Sequence, residues 1–138
     1  MREGESYYEK GAYEKAEKAY RKAESGVGLY NAGNAAYQQG NLAAAATLFK
    51  EAAAQSTTYT ARADALYNLG NALLRQNKLP EAIEAYERSL RLSPNRSDAK
   101  KNLQIHKRLM QPPPPQPPQQ KNPPPPPPSP IPRQQYLD

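Results

Sequence analysis

The sequence predicts an all-α solenoid: about three helix–turn–helix repeats, a terminal capping helix and then a polyproline tail. Three observations predict it. One set of residues recurs at fixed offsets, as Gly4, Ala16 and Tyr20, then Gly33, Ala45 and Phe49, then Gly70, Ala82 and Tyr86. Around these, apolar residues keep helical spacing, as in Leu66, Leu69 and Leu73. Fourteen of the sixteen prolines fall between Pro112 and Pro132, so the composition changes abruptly after Met110. A single hairpin of helices cannot bury its own apolar face, so the repeats must stack.

Taken in order, residues 1–25 form a first repeat whose opening helix begins late, because Met1 falls at the fifth repeat position; sequence upstream is expected. Glu14 and Lys18 make an i,i+4 pair on the wet face of its second helix. The second repeat covers 26–59, with Leu29, Ala32, Gly33, Ala36, Ala45 and Phe49 on its seam. Gly40 suits the left-handed turn between its helices. Thr57 stands where a closing proline is expected, so Ser56–Thr60 reads as a nonstandard loop or a locally extended helix. The third repeat covers 63–96. Asn77 takes the turn position that Gly11 and Gly40 hold, and Pro80 lies in the first helical turn, where its missing N–H is tolerated.

Residues 97–110 form the capping helix, with Ser97 or Asn95 as its cap and Lys100, Lys101, Lys107 and Arg108 outside. His106 reads as a surface side chain. Residues 111–138 read as extended polyproline II, hinged at Gln119–Asn122.

Composition excludes several classes. The net charge is +6, and residues 1–110 hold 17 Lys and Arg against 12 Asp and Glu, a balance that reads as a solvated helical surface and not a nucleic-acid site. There is no cysteine, hence no disulfide or thiolate metal site. No apolar run approaches the ~18 residues of a membrane span, so no direct membrane insertion is expected. No catalytic constellation, phosphate loop or metal-ligand spacing occurs, so neither enzymatic activity nor a cofactor is expected.

The stretch ALYNLGNALLRQNKLPEAIEAYERSLRLSP, from Ala65 to Pro94, resembles the 34-residue tetratricopeptide repeat. The resemblance implies that the first helix of each repeat lines a concave face. On those helices Asn31 and Asn68 stand two residues before the repeat glycine, Asn102 matches them in the capping helix, and Asn34 and Asn71 follow the glycine. They resemble the asparagine ladder by which some members of the family grip a peptide backbone. A carboxamide offers two donors and an acceptor, so it can bond an extended backbone of any sequence. The alternative is that these asparagines bond neighbouring helices.

Tyr30 and Tyr67 precede the ladder, and Tyr8 and Tyr37 lie a turn beyond it, as groove aromatics; Tyr7, Tyr13, Tyr20 and Tyr86 are read as core. A face of tyrosine and asparagine suits an extended, proline-rich peptide, and the chain's own tail is one candidate, which would make a homo-oligomer if docked in trans. The carboxylate clamp of chaperone adaptors does not carry over, since Glu5, Asn31, Asp64 and Asn68 occupy its positions.

The segments REGESYYEKGAYEKAEKAYRKA and DAKKNLQIHKRL, with the Ala65–Pro94 stretch, are similar to the tetratricopeptide-repeat proteins of bacterial Bat aerotolerance-type clusters. That resemblance implies a periplasmic or inner-membrane-associated regulatory subunit beside von Willebrand A and MoxR-type proteins, with a cytoplasmic location as the alternative.

Overall fold

The computed structural model describes residues 2–22 and 25–111. Among them seven α-helices follow one another: α1 (Arg2–Glu9), α2 (Tyr13–Arg21), α3 (Gly26–Gln38), α4 (Leu42–Gln55), α5 (Tyr59–Arg75), α6 (Leu79–Leu92) and α7 (Ser97–Met110). The expectations for residues 112–138, the tail and its hinge, lie outside the described residues.

The three hairpins α1–α2, α3–α4 and α5–α6 turn by one local device. Gly11 (φ +75), Gly40 (φ +81) and Asn77 (φ +61) take the left-handed conformation. The next amide then reaches back over the turn, Ala12 to the Tyr7 carbonyl at 2.8 Å, Asn41 to Ala36 at 3.0 Å and Lys78 to Leu73 at 2.9 Å. These bonds satisfy carbonyls that the ends of α1, α3 and α5 would otherwise leave open. α2, α4 and α6 begin without a side-chain cap. α3 and α5 start differently. Ser25 Oγ accepts from the Gly28 amide at 3.0 Å, and Thr58 Oγ1 accepts from Ala61 at 3.1 Å.

Inside each hairpin the repeat glycine admits the ring of the aromatic sixteen residues on. A Cβ added to Gly4, Gly33 or Gly70 would lie 2.5–2.7 Å from the ring of Tyr20, Phe49 or Tyr86. The glycine therefore makes room for a buried ring, and the small Ala16, Ala45 and Ala82, all fully buried, fill the seam beside it. Tyr86, Phe49, Leu48 and Leu66 anchor the core, which continues from hairpin to hairpin without interruption. Burying each such side chain contributes about 1.5–3 kcal/mol.

Gly70→Ala sets two effects against each other. Alanine gains about 1 kcal/mol of helix propensity, while overpacking against a ring with no room to move costs about 1–3 kcal/mol. Tyr86 is 0% exposed, so strain should win. A net loss of up to about 2 kcal/mol in urea denaturation is expected; a gain would show that the ring yields.

Of the two readings of Ser56–Thr60, the extended helix holds for its last two residues, since α5 begins at Tyr59, four residues before Ala63. Thr58 caps it, and Arg62 Nε ties the start back to the Ser56 carbonyl at 2.8 Å, so only Ser56–Thr58 remains outside helix. Three expectations need correction. Neither Asn95 nor Ser97 caps α7. Arg96 occupies that position, and Asp98 Oδ1 accepts from the Ala99 amide at 2.7 Å. Asp98 is the better acceptor because the Arg96 guanidinium holds it as the anion, which lowers its pKa. His106 is half-buried, stacked on Tyr86 with ring centroids 6.2 Å apart, and its Nδ1 lies 2.6 Å from the Asn102 carbonyl. Tyr7 and Tyr13 are half-buried, not fully inside as Tyr20 and Tyr86 are. The expected Glu14–Lys18 pair forms at 3.6 Å, but both groups are about three-quarters exposed and it contributes little.

Each helix packs on the next in sequence. Beyond that, α3 touches α5 directly, and no comparable contact joins α4 to α6. α3 and α5 are thus drawn together and α4 and α6 spread apart. α3 and α5 lie on the inner side of the curve, α4 and α6 on the outer.

Candidate functional site

The inner face carries the predicted asparagines and tyrosines, and they form a connected network across repeats. Asn68 on α5 donates from Nδ2 to Tyr30 Oη at 2.9 Å and to Asn34 Oδ1 at 3.2 Å, both on α3. One repeat on, Asn102 on α7 donates from Nδ2 to Tyr67 Oη at 3.3 Å and Asn71 Oδ1 at 3.5 Å. The same two bonds recur because the same residues stand at the same repeat positions. Tyr86 Oη also donates to Asn71 Oδ1, at 2.6 Å. Burial, then the neighbouring Tyr67 hydroxyl, pushes the Tyr86 phenol up to about 12, which keeps it a neutral donor.

The ladder uses only half of each amide's capacity. Asn34 and Asn71 spend their Oδ1, and Asn68 and Asn102 spend their Nδ2. The Nδ2 groups of Asn34 and Asn71 and the Oδ1 atoms of Asn68 and Asn102 make no side-chain hydrogen bond among the described residues. These half-buried side chains therefore offer spare donors and spare acceptors along one face, which is what an extended backbone requires.

Asn31 is half-buried on α3 and makes no side-chain hydrogen bond to the described residues. Glu5 stands in the first repeat where Asn34 and Asn71 stand in the others, so the amide-to-amide rung is missing there.

The tyrosines divide. Tyr30 and Tyr67 lie against the core, edge-on to Phe49 at 5.9 Å and tilted on Tyr86 at 5.8 Å, with their hydroxyls in the ladder. Tyr8 packs edge-on to Tyr13 at 5.0 Å. Tyr37 is half-buried, and the Arg75 guanidinium lies 4.9 Å from its ring centre. A hollow of about 210 Å³ opens among Asn34, Tyr37, Gln38, Phe49, Asn68 and Asn71, four of them predicted site residues.

Sequence reading missed Arg75 and Gln38. Both follow Asn71 and Asn34 by one helical turn, the spacing that could have found them. Asp64, at a clamp position, is already paired with Arg96, whose guanidinium also covers the Tyr67 ring at 4.8 Å. Among the described residues no cluster of His, Asp or Glu could hold a metal ion, and no helix is long and apolar enough to cross a membrane.

Antiparallel helix pairs with one turn device, stacked inner helix to inner helix, define a helical-repeat solenoid. Profiles described as tetratricopeptide repeat match residues 30–97 and residues 1–25. The chain is a tetratricopeptide-repeat protein. No curated protein matches it.

Solved structures share the fold. The first TPR of Spaghetti (RPAP3), bound to the HSP90 peptide SRMEEVD, is 28% identical with TM-score 0.67 over 77% of this chain and 86% of its own. The Sgt2 TPR domain from Aspergillus fumigatus is 25% identical with TM-score 0.67, covering 78% of this chain and 74% of its own. The N-terminal domain of stress-induced protein-1 from C. elegans has TM-score 0.71 at 22% identity, covering 76% and 89%, and shows the fold alone.

Proposed function

We propose that the chain is a non-enzymatic scaffold that binds an extended peptide segment along the inner face of α3, α5 and α7. The observation that carries this is the half-used asparagine ladder beside the Tyr37 ring. Among the described residues, free donors on Asn34 and Asn71 and free acceptors on Asn68 and Asn102 match the C=O and N–H groups of an extended backbone, and Asn31 adds a side chain with no hydrogen-bond partner. The relative bound to an HSP90 peptide supports peptide binding as the activity of this kind of domain. Its ligand is acidic, whereas this face offers carboxamides and tyrosines, so a neutral, proline-rich ligand fits better.

The chain's own residues 111–138 supply such a ligand, which favours self-docking in cis or in trans as the second reading. A regulatory role beside von Willebrand A and MoxR-type proteins rests on the Bat-cluster resemblance.

The test is anisotropy titration of a labelled 111–138 peptide with a chain ending at residue 110. Saturable binding is expected, and Tyr37→Ala should weaken it about tenfold, because aromatic anchors carry much of such an interface. No binding would remove the proline-rich ligand, and sedimentation of 1–138 as an unchanging monomer would remove docking in trans.

A further inference from the structure

The outer side of the curve holds a second surface, independent of the asparagine face. Because α4 and α6 spread apart, a gap opens between them with α5 as its floor. On α5, Leu66, Leu69 and Leu73 border this gap, while Asn68 and Asn71 border the inner hollow. The gap is a hollow of about 610 Å³ that runs into a second of about 320 Å³, the two sharing Lys50 and Arg88.

The first hollow is framed by four cations and no carboxylate: Lys50 on α4, Arg62 on α5, and Arg88 and Arg91 on α6. Each helix places an apolar residue one turn after a cation, as Lys50 and Ala54, Arg62 and Leu66, Arg88 and Leu92. The result is an apolar floor with a cationic rim. None of the four cations makes an ion pair among the described residues. Glu84 precedes Arg88 by one turn, the favourable orientation for an ion pair, yet they do not pair. Four like charges around one hollow repel each other within a Debye length of about 8–10 Å, a cost that an anionic occupant relieves. The second hollow is mixed in sign, with Lys78 facing Glu81 and Glu84, so positive potential is concentrated at the Arg62–Arg91 end.

We propose that this outer groove docks an acidic, amphipathic peptide segment from a partner protein, its apolar side chains on Ala54 and Leu92 above the buried Leu66 and its carboxylates on Arg62, Arg88 and Arg91. Guanidinium groups favour this because they bind carboxylates in a bidentate, directional way. A recessed apolar floor takes a side chain, which the flat surface of a membrane does not present. The chain's own tail is the wrong partner here, since it holds Lys121 and Arg133 against Asp138. The scaffold would then hold two ligands of different chemistry on opposite sides of one stack of helices.

The test is anisotropy titration of the full chain against a labelled 14-residue probe, Glu-Glu-Leu-Glu-Glu-Leu-Leu written twice, and against its Gln-for-Glu counterpart. Binding of the acidic probe is expected to fall about tenfold or more in the R88E/R91E variant, to weaken as salt rises, and to be absent for the Gln probe. Both arginines are exposed, so the variant should keep its helical circular dichroism. Tyr37→Ala should leave acidic-probe binding unchanged, which separates this groove from the inner face. Failure of the acidic probe to bind, equal binding of the Gln probe, or affinity unchanged by R88E/R91E would overturn the proposal. So would capture of the chain by phosphatidylserine vesicles that the acidic probe does not displace, which would assign the cations to a membrane surface.

Discussion

Tyr86→Ala is expected to destabilise the domain by about 3–5 kcal/mol, the range for emptying a large aromatic site in a core. The ring is fully buried, fills the space left by Gly70, lies 5.8 Å from Tyr67 and stacks on His106 of α7. It therefore joins three helices, α5, α6 and α7, and its loss should detach the capping helix as well as open a cavity. Total stabilities of small domains are only about 5–15 kcal/mol, so the variant should be close to unfolding at room temperature. Tyr86→Phe keeps the ring and removes the bond to Asn71, so it should cost about 0.5–1.5 kcal/mol. Urea denaturation of the two variants separates packing from hydrogen bonding. If Tyr86→Ala cost no more than Tyr86→Phe, the ring would not be the keystone of the third repeat.

Most of the fold was legible because its determinants are local. A left-handed turn needs Gly or Asn, and Gly11, Gly40 and Asn77 announce the three turns directly. The glycine and the aromatic sixteen residues later mark the hairpin, since both side chains meet only when the two helices fold back on each other. The start of α5 was legible only as one of two alternatives, a loop or an extended helix. It depends on Arg62 reaching back to the Ser56 carbonyl, a bond that no periodicity displays. The cap of α7 escaped for a similar reason. Asn95, Ser97 and Asp98 are all suitable types, and the choice among them is made by Arg96, which is itself held by Asp64 on α5.

The inner face was legible in part. Repeat spacing places Asn31, Asn34, Asn68, Asn71 and Asn102 on one side of the solenoid, but it does not say which amide group faces which neighbour. That depends on the distance between repeats, which brings Asn68 onto Asn34 and Tyr30. Tyr30 and Tyr67 read as groove residues because they adjoin the ladder, whereas their rings are held against Phe49 and Tyr86. The outer cations were visible as single charges on three helices. Only the spreading of α4 from α6 gathers Lys50, Arg62, Arg88 and Arg91 around one hollow.

Asn68 offers the sharpest separation of the two roles that the ladder combines. Its Nδ2 holds α5 to α3, and its Oδ1 is the atom assigned to the peptide. Asn68→Ala removes both, leaving Asn34 Oδ1 without its donor, and should cost about 1–2 kcal/mol in stability together with about a tenfold loss of peptide affinity. Asn68→Asp removes the donor and keeps an acceptor of nearly the same shape. It should lose stability, because a carboxylate cannot donate to Asn34 Oδ1, yet bind peptide at least several-fold more tightly than the alanine variant. Paired urea denaturation and anisotropy titrations of the two variants decide the matter. Equal loss of binding in both would mean that Asn68 acts by holding the inner face in register. The peptide would then have to be gripped by the groups that remain free there, Asn31 and the Nδ2 atoms of Asn34 and Asn71.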